Sequence, residues 1–392
     1  MSMTAAGRIA LPLVLAAALL AGGCDTSPTE PAADDSANVT TFLGSAEDDA
    51  RFARADTPRE FRFPQDHGAH PDYRTEWWYL TGNLETGAGR HFGFQMTFFR
   101  FGIDAEPPER PSAWATDQLW MAHFAVTDTD AREFHADEKF ERQALGLAGA
   151  QAAPFRVWLD DWELASAGDG DADWFPLRLV ADGDEFALDL GIDKGKPLVL
   201  QGEDGLDPKG PEPGNASYYY SFTRLPAEGR VRIGDTEHAV SGLVWMDREW
   251  STSVLGPGVE GWNWFAIQLD DGYDLMYYRL RQTDGGTAPY SGGLLVDPDG
   301  EVAARYGADQ ARLEASGHWK SPETGIRYTV AWRLQVPHLG IDLAVTPRVP
   351  GQELDLSVRY WEGAITVEGE RDGSPVTGVG YAEHAGVSAR GE

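Results

Sequence analysis

Cysteine is almost absent from this sequence of 392 residues, which contains a single one, Cys24. A lone thiol cannot form an internal disulfide. The glycine patterns of Rossmann and P-loop proteins, a Cys/His zinc cluster and a Gly-x-Ser-x-Gly elbow are also missing. The sequence therefore predicts neither a metal site nor a cofactor.

Basic residues are scarce as well. Lysine and arginine together number 32 against 63 aspartates and glutamates, which gives a net charge of -31 and a pI near 4.5. Nucleic-acid binding needs a basic face, so we expect no nucleic-acid partner. The acidic charge favours solubility and carries no information about the fold.

The first 24 residues predict export and lipidation. Arg8 is followed by an apolar run at 9–20, small residues at 21–23 and then Cys24. The run is shorter than the roughly 20 residues that span a bilayer, and the pattern is typical of a signal peptide covering 1–23. We interpret Cys24 as an acylated lipobox cysteine that anchors the protein on the periplasmic side of a bacterial membrane, inner or outer. The alternative is an ordinary signal peptide that ends near a cysteine.

Large apolar residues are few in 24–56, where Asp, Ala, Thr, Ser and Pro dominate. Such a segment cannot bury enough surface to offset its ordering entropy, so we expect a disordered acidic tether. The remaining length suits two domains, predicted at 57–245 and 246–386. Just before this boundary, residues 217–225 and 230–233 are predicted to form a pair of strands.

Helical periodicity is absent, while strand signals are abundant. The chain has 14 Trp, 13 Tyr and 17 Phe, with 45 Gly and 24 Pro as turn residues. Residues 76–84 and 92–100 read as a hairpin, and further strand signals follow every 8–12 residues or so, which indicates an all-β sandwich or barrel. The openings at 77–100 and 262–281 resemble each other and suggest a weak internal repeat.

The first candidate site surrounds Glu76. In a strand, Glu76 and Trp78 face one side while Trp77 and Tyr79 face the other. A buried carboxyl beside an indole has a raised pKa, which suits a general acid. In the alternative interpretation, which we favour, Glu76 pairs with an arginine such as Arg100 or Arg248 and has a structural role.

The second candidate site is the segment 245–250. Asp247 and Glu249 share one strand face, opposite Arg248. Paired carboxyls can divide the acid and base roles of a reaction. The alternative is a network of salt bridges between the two domains.

Hydroxyl-rich and histidine-containing strands supply further candidates. Tyr219 lies in a run of tyrosines and serines at 215–224, which could donate hydrogen bonds or line a barrel wall. His123 lies on an apolar strand, where a satisfied core histidine is the commoner outcome. Glu362 follows a tryptophan and repeats the pairing of an indole with a carboxyl.

Six segments together resemble one known family, the carotenoid 1,2-hydratase (hydroxyneurosporene synthase)/AttH family of secreted proteins, also called predicted secreted hydrolases. They occur in order over residues 61–383, at 68–84, 92–100, 121–128, 215–221, 245–250 and 360–363. The resemblance implies two lipocalin-like antiparallel β-barrels in tandem. Members often carry a lipoprotein signal and are encoded beside an ABC-transporter permease and ATPase.

The resemblance is closer to the AttH-like members than to the true hydratases. Those enzymes are held to use a His, a Trp, a Tyr and an Asp near the start of the second barrel to protonate an isoprenoid double bond. The matching segment here contains Asp247 and no histidine, and Tyr278 stands near the expected tyrosine, with Arg279 in place of the following aspartate. Asp247 is the one acid that the resemblance carries over.

Three functions follow as hypotheses. The first is a membrane-tethered carrier that binds a lipid or isoprenoid in a barrel calyx, with an ABC-transporter permease as a candidate partner. The second is an enzyme that hydrates a double bond or hydrolyses a lipid-like substrate, and the third is a structural adaptor. The predicted catalytic residues are Asp247, Glu249, Glu76 and Tyr278. The predicted ligand-binding residues are Trp77, Trp78, Tyr79, Gln95, Arg100, His123, Tyr219, Trp245, Trp262 and Trp264.

Overall fold

The computed structural model describes residues 37–38 and 51–387, except 107–109, 169–173, 254 and 257. The described residues belong to one compact unit. Its described part contains 24 strands, numbered β1 to β24 in chain order, and two 3-10 helices at Gln65–His67 and Pro337–Leu339. Cys24, the signal peptide and most of the predicted tether lie outside the described residues.

The first sheet contains β2 to β14. Its strands run in the order β5-β4-β3-β2-β14-β13-β10-β9-β8-β7-β6, with β11 and β12 paired to β13, and every pair is antiparallel. The bounds are β2 Thr75–Glu85, β3 His91–Gly102, β4 Gln118–Asp128, β5 Glu133–Arg142, β6 Ala148–Ala152, β7 Phe155–Leu159, β8 Trp162–Ser166, β9 Leu177–Asp182, β10 Phe186–Ile192, β11 Val199–Leu200, β12 Leu206–Pro208, β13 Ala216–Ile233 and β14 Thr236–Ser251.

The second sheet contains β1 and β15 to β24. Its order is β18-β17-β16-β15-β24-β23-β21-β20-β19, with β22 paired antiparallel and β1 paired parallel to β23. The bounds are β1 Ala37–Asn38, β15 Val259–Leu269, β16 Asp274–Gln282, β17 Gly292–Val296, β18 Val302–Gly307, β19 Arg312–Lys320, β20 Arg327–Val336, β21 Ile341–Pro347, β22 Glu353–Asp355, β23 Val358–Arg371 and β24 Ser374–Ala385.

The two sheets form two lipocalin-like antiparallel barrels, so the predicted all-β fold is confirmed. Both predicted opening hairpins are present, β2 with β3 and β15 with β16. The second hairpin turns at Gly272, whose φ of 86° is a left-handed conformation that glycine adopts without steric cost. This glycine therefore allows the tight turn between β15 and β16.

One strand prediction was wrong. Residues 217–225 and 230–233 do not pair with each other, because both belong to the single long strand β13. β13 pairs with β14 along one edge and with β10, β11 and β12 along the other, and its register with β14 shifts between Phe222 and Leu225. The predicted boundary after residue 245 falls inside β14, and the chain passes from the first sheet to the second between Ser251 and Val259. The division into two domains stays a prediction.

Strand alternation produces three apolar layers. Trp78 and Leu80 of β2 belong to the core inside the first barrel, and Phe265 of β15 to the core inside the second. Tyr79 and Trp264 belong to a third cluster, which joins the two sheets. The central strands are therefore buried on both faces, and a functional site can form on the faces between the sheets.

Candidate functional site

The candidate site is a cavity between the two sheets. It has a volume of about 100 Å³. Its wall consists of Trp77, Tyr79, Thr97, Phe99, Lys209, Tyr219, Asp247, Glu249, Leu255, Trp262, Trp264, Tyr278, Leu280, Tyr360, Glu362 and Glu383. Both sheets contribute residues, so the cavity lies between the barrels. The sequence had instead predicted a ligand inside the calyx of one barrel.

The alternation of β14 brings two carboxyls to this cavity. Asp247 and Glu249 line it, while Arg248 lies on the opposite face and pairs with Glu76 inside the first barrel. Two residues along a strand correspond to a Cα separation of about 7 Å. The predicted shared face of Asp247 and Glu249 is therefore confirmed in the geometry, and a small reactive group can contact both.

Asp247 is held by three neutral donors. The Tyr219 hydroxyl donates to Oδ2 at 2.6 Å, and the Ser221 hydroxyl and the Trp245 indole N–H donate to Oδ1 at 2.5 and 2.7 Å. Burial raises the pKa of Asp247 to about 6, against the opposing effect of these donors and of Lys209. The carboxyl is therefore fixed in position and titrates near neutral pH.

Glu249 has a different environment. It accepts a hydrogen bond from the Ser217 hydroxyl, and its Oε1 lies 3.6 Å from the ammonium of Lys209. Burial raises the pKa of Glu249 to about 7, although Lys209 opposes the rise. Near neutral pH, Glu249 is therefore more often protonated than Asp247.

Lys209 follows strand β12 and belongs to a buried charge cluster. Its Nζ donates to Oδ2 of Asp207 at 2.5 Å and lies 3.9 Å from the ring centre of Tyr278. The Tyr278 hydroxyl donates to Oδ1 of Asp207 at 2.8 Å. Burial lowers the pKa of Lys209, but Asp207 and Glu249 outweigh burial and raise it, so the ammonium stays charged.

The other carboxyls of the cavity are Glu362 and Glu383. They are directly opposite each other on β23 and β24, an arrangement that places Cβ atoms about 4.5–5.5 Å apart. The Tyr79 hydroxyl donates to Oε1 of Glu362, and the Trp262 indole N–H donates to Oε2 of Glu383 at 2.8 Å. Burial raises both pKa values, that of Glu383 to about 7, and the repulsion from Glu383 adds to the rise for Glu362.

Aromatic rings form most of the remaining wall. The rings of Tyr79 and Trp264 meet edge to face with centres 5.1 Å apart, and the Trp264 indole N–H lies 3.3 Å from the Tyr219 hydroxyl oxygen. These contacts link the two sheets across the cavity. The result is an apolar chamber with carboxyls on its wall, which suits a ligand with an apolar body and a few polar groups.

Glu76 lies outside this cavity, in the interior of the first barrel. Its carboxylate pairs with both Arg100 and Arg248, and His70 Nδ1 lies 3.3 Å from Oε2. Burial would raise the pKa of Glu76, but the two guanidinium groups hold it well below its usual range. The geometry therefore supports the predicted structural pairing of Glu76. Trp78 lies beside it, with its ring centre 3.8 Å from the Arg248 guanidinium carbon.

Three other predicted ligand-binding residues, Trp245, Gln95 and His123, contact wall residues of the cavity. Trp245 contacts Asp247, and Gln95 donates to Thr97, a wall residue, at 2.6 Å. His123 Nδ1 is 2.8 Å from the hydroxyl of Tyr360, and burial lowers the pKa of His123 to about 3, so the imidazole is neutral. These residues can orient the wall but do not line the cavity.

Several wall residues were missed by the sequence analysis. Glu383 and Lys209 were not singled out, nor was Asp207, which is not a wall residue but accepts a hydrogen bond from Lys209. Glu362 was noted only for its neighbouring tryptophan. Because side chains alternate along a strand, the spacing of Tyr360 and Glu362 in β23 predicts that they lie on one face. Lys209 gave no such signal, because it follows a three-residue strand and reaches the site through tertiary contacts alone.

In the part of the chain that the structure describes, no group of three or more His, Cys, Asp or Glu side chains could hold a metal ion. A search of the same residues finds no helix with the length and apolar character needed to cross a membrane.

Two lipocalin-like barrels with an acidic, aromatic cavity between them define the class of this protein. The chain belongs to the AttH-like family, whose model matches residues 54–387. A protein assigned as AttH from Nitrosomonas europaea has a crystal structure similar to this one, at 36% identity and a TM-score of 0.76, over 86% of this chain and all of the other. The family prediction is thereby confirmed.

Two more distant structures share the fold. Kievitone hydratase from Nectria haematococca is 15% identical, with a TM-score of 0.65, over 86% of this chain and 98% of its own. CghA with Sch210972 is 15% identical, with a TM-score of 0.52, over 87% of this chain and 98% of its own. No curated protein matches the chain significantly.

Proposed function

We propose that this protein is an acid–base enzyme that adds water to, or removes water from, a double bond of an apolar substrate held between the barrels. The observation that carries the proposal is the pair Asp247 and Glu249 on the wall of an aromatic cavity, with pKa values raised to about 6 and about 7. Two carboxyls that titrate on either side of a working pH can serve as base and acid in one reaction.

The addition proceeds as a paired proton transfer. The carboxylic acid of Glu249 donates its proton to one carbon of the double bond. The carboxylate of Asp247 removes a proton from a water molecule, whose oxygen bonds to the other carbon. The substrate gains H and OH, one proton moves from Glu249 to Asp247, and exchange with solvent restores the starting state. Removal of water is the reverse sequence.

The neighbouring groups hold the two carboxyls in place for this chemistry. Tyr219 and Ser221 fix the Asp247 carboxylate from one strand, β13. Tyr278, predicted as a catalytic residue, holds Asp207 and through it Lys209, so its role in this proposal is positioning. The fold shared with kievitone hydratase is compatible with hydration, but at 15% identity it supports the fold alone.

Turnover in heavy-oxygen water tests the proposal. The protein is incubated in H₂¹⁸O with a panel of isoprenoid and fatty-acid alkenes, and products are analysed by mass spectrometry for the gain of one water. We expect a labelled product that is lost in Asp247→Asn and Glu249→Gln. The control is Asp189→Asn, because Asp189 pairs with Arg178 at the surface. Full activity in either cavity variant would refute the proposed roles.

A carrier function is the second candidate, favoured by the aromatic and aliphatic wall. A carrier retains its ligand unchanged, so lipid that co-purifies with the protein should be released intact. Native mass spectrometry before and after incubation distinguishes the two functions: a bound mass that stays constant supports the carrier, and a shift of one water supports the enzyme.

We also propose that the protein is exported and tethered to a bacterial membrane through an acylated Cys24, where an ABC-transporter permease is a candidate partner. The support is the signal-like pattern at 1–23 and the lone cysteine that follows it. Pull-down of the lipidated protein from membranes, with identification of co-purified permeases, tests the partnership.

A further inference from the structure

We propose that the substrate carries a positively charged amine or quaternary ammonium group, which Glu362 and Glu383 hold at one part of the cavity wall. This inference deepens the proposed function and rests on it, because it assigns the class of substrate to the same cavity.

Most buried carboxyls of the described residues have a cationic partner, and Asp247, which accepts hydrogen bonds from neutral donors, is an exception besides Glu362. Glu76 pairs with Arg100 and Arg248. Asp274 pairs with Lys196 and Arg224 at 2.9 and 2.6 Å. Similar pairs join Asp66 with Arg59, Asp128 with Arg90, and Asp207 and Glu249 with Lys209. A cation therefore usually compensates a buried carboxylate in this fold, as the cost of a buried unpaired charge requires, and the two exceptions, Asp247 and Glu362, both line the cavity.

Glu362 departs from this pattern. Its side chain is 2% exposed and lines the cavity, yet its hydrogen-bond donor is the neutral hydroxyl of Tyr79. The carboxyl directly opposite, Glu383, receives its hydrogen bond from the indole of Trp262. No arginine or lysine forms a salt bridge with either carboxyl in the described part of the chain. Burial and mutual repulsion disfavour the ionised form of this pair in the empty cavity, and a cation that enters would stabilise that form.

The rings around the pair point to the same ligand independently. Trp77, Tyr79, Trp262, Trp264 and Tyr360 line the cavity with Glu362 and Glu383. Aromatic faces attract cations electrostatically, and cages of such rings recognise quaternary ammonium groups. A neutral apolar ligand would contact the rings but would leave the two carboxyls without a cationic partner.

The cavity therefore divides into two functional regions. The charged group contacts Glu362, Glu383 and the rings, and the apolar body extends along Phe99 and Leu280. The double bond then lies near Asp247 and Glu249, the proposed acid–base pair. A substrate of this class is an unsaturated apolar amine.

Binding of matched probes tests this assignment without turnover. Octyltrimethylammonium, octan-1-ol and octanoate share an apolar chain and differ in charge. Titration calorimetry measures binding of each probe, and salt at about 0.15 M screens weak attraction of the cation to the acidic surface. We expect one site that binds the cation at least tenfold more tightly than the alcohol and does not bind octanoate. Equal binding of cation and alcohol would overturn the proposal.

Variants locate the site. Glu362→Gln with Glu383→Gln should remove the tenfold preference for the cation, so that octyltrimethylammonium and octan-1-ol bind about equally. Glu383→Gln alone is the second variant if the double variant does not fold, since Glu383 is only partly buried. An unchanged preference in these folded variants would also overturn the proposal.

The two proposals fail separately. Asp247→Asn should retain the preference for the cation, because Asp247 belongs to the proposed acid–base pair and not to the cation site. Charge selectivity without hydration of any unsaturated amine would refute the proposed enzyme and preserve this assignment. Hydration of neutral alkenes with no charge selectivity would refute this assignment and preserve the proposed enzyme.

Discussion

Asp247 and Arg248 are neighbours in the chain and lie on opposite sides of β14. The carboxyl of Asp247 faces the cavity between the sheets, where neutral donors hold it, and the guanidinium of Arg248 faces the interior of the first barrel, where it pairs with Glu76. One strand thus carries a structural charge network on one face and a candidate reactive group on the other. Substitutions on the two faces should therefore have different effects.

Glu76→Gln should destabilise the fold strongly. The substitution leaves Arg100 and Arg248 buried without their shared carboxylate, and breaking a buried ion pair costs roughly 3–5 kcal/mol. Urea unfolding measures the loss. Asp189→Asn is the matched control, because the half-exposed pair of Asp189 with Arg178 should contribute about 1 kcal/mol or less. Equal losses in both variants would contradict a structural role for Glu76.

Asp247→Asn should leave the melting temperature close to that of the parent and abolish turnover. At pH 7 the substitution removes a buried charge, which stabilises the fold, and it turns an amide N–H₂ towards hydroxyl and indole donors, which offsets that gain. Calorimetry with the labelled-water assay measures both quantities. A stable variant that converts substrate at the parent rate would remove Asp247 from the mechanism.

Strand alternation made part of the site predictable. Because side chains alternate with a period of two, the sequence placed Asp247 and Glu249 on one face and Arg248 on the other, and separated Glu76 from Tyr79. The opening hairpins followed from equally local signals. These features need no knowledge of how the sheets pack.

The location of the cavity was not predictable in this way. Which strand face meets the other barrel depends on contacts between distant residues, such as Tyr79 with Glu362. Trp78 was predicted to contact ligand because it is aromatic, but its strand face points into the first barrel. Lys209 joins the site only because its loop packs against Tyr278 and Glu249.

Cys24→Ser should convert the protein from a membrane-bound to a soluble form. If Cys24 carries acyl chains, the parent protein should enter the detergent phase on phase separation, and the variant should remain in the aqueous phase. Two or more chains are needed for stable anchoring, since one chain binds only marginally. A variant that still enters the detergent phase would contradict the lipobox interpretation.

The last prediction concerns pH. Burial raises the pKa of Asp247 from an ordinary 3.8 to about 6, and that of Glu249 from 4.5 to about 7. Between about pH 4 and pH 7 the native state therefore binds more protons at these two sites than the unfolded chain does. Their contribution to the free energy of unfolding must fall as pH rises through that window and stay constant above it.

The variant Asp247→Asn with Glu249→Gln removes this dependence. The free energy of unfolding of the variant, relative to the parent, should increase from pH 4.5 to pH 7.5 by an amount on the order of 3 kcal/mol per site at most. Urea titrations across this range, with Asp189→Asn as the control, measure the difference. For Asp189→Asn, the free energy of unfolding relative to the parent should not change with pH above pH 5, because Arg178 lowers the pKa of Asp189. If the free energy of unfolding of the cavity variant, relative to the parent, also does not change with pH, the two carboxyls of the parent titrate in the ordinary range. The proposed reaction would then have no acid and base near neutral pH.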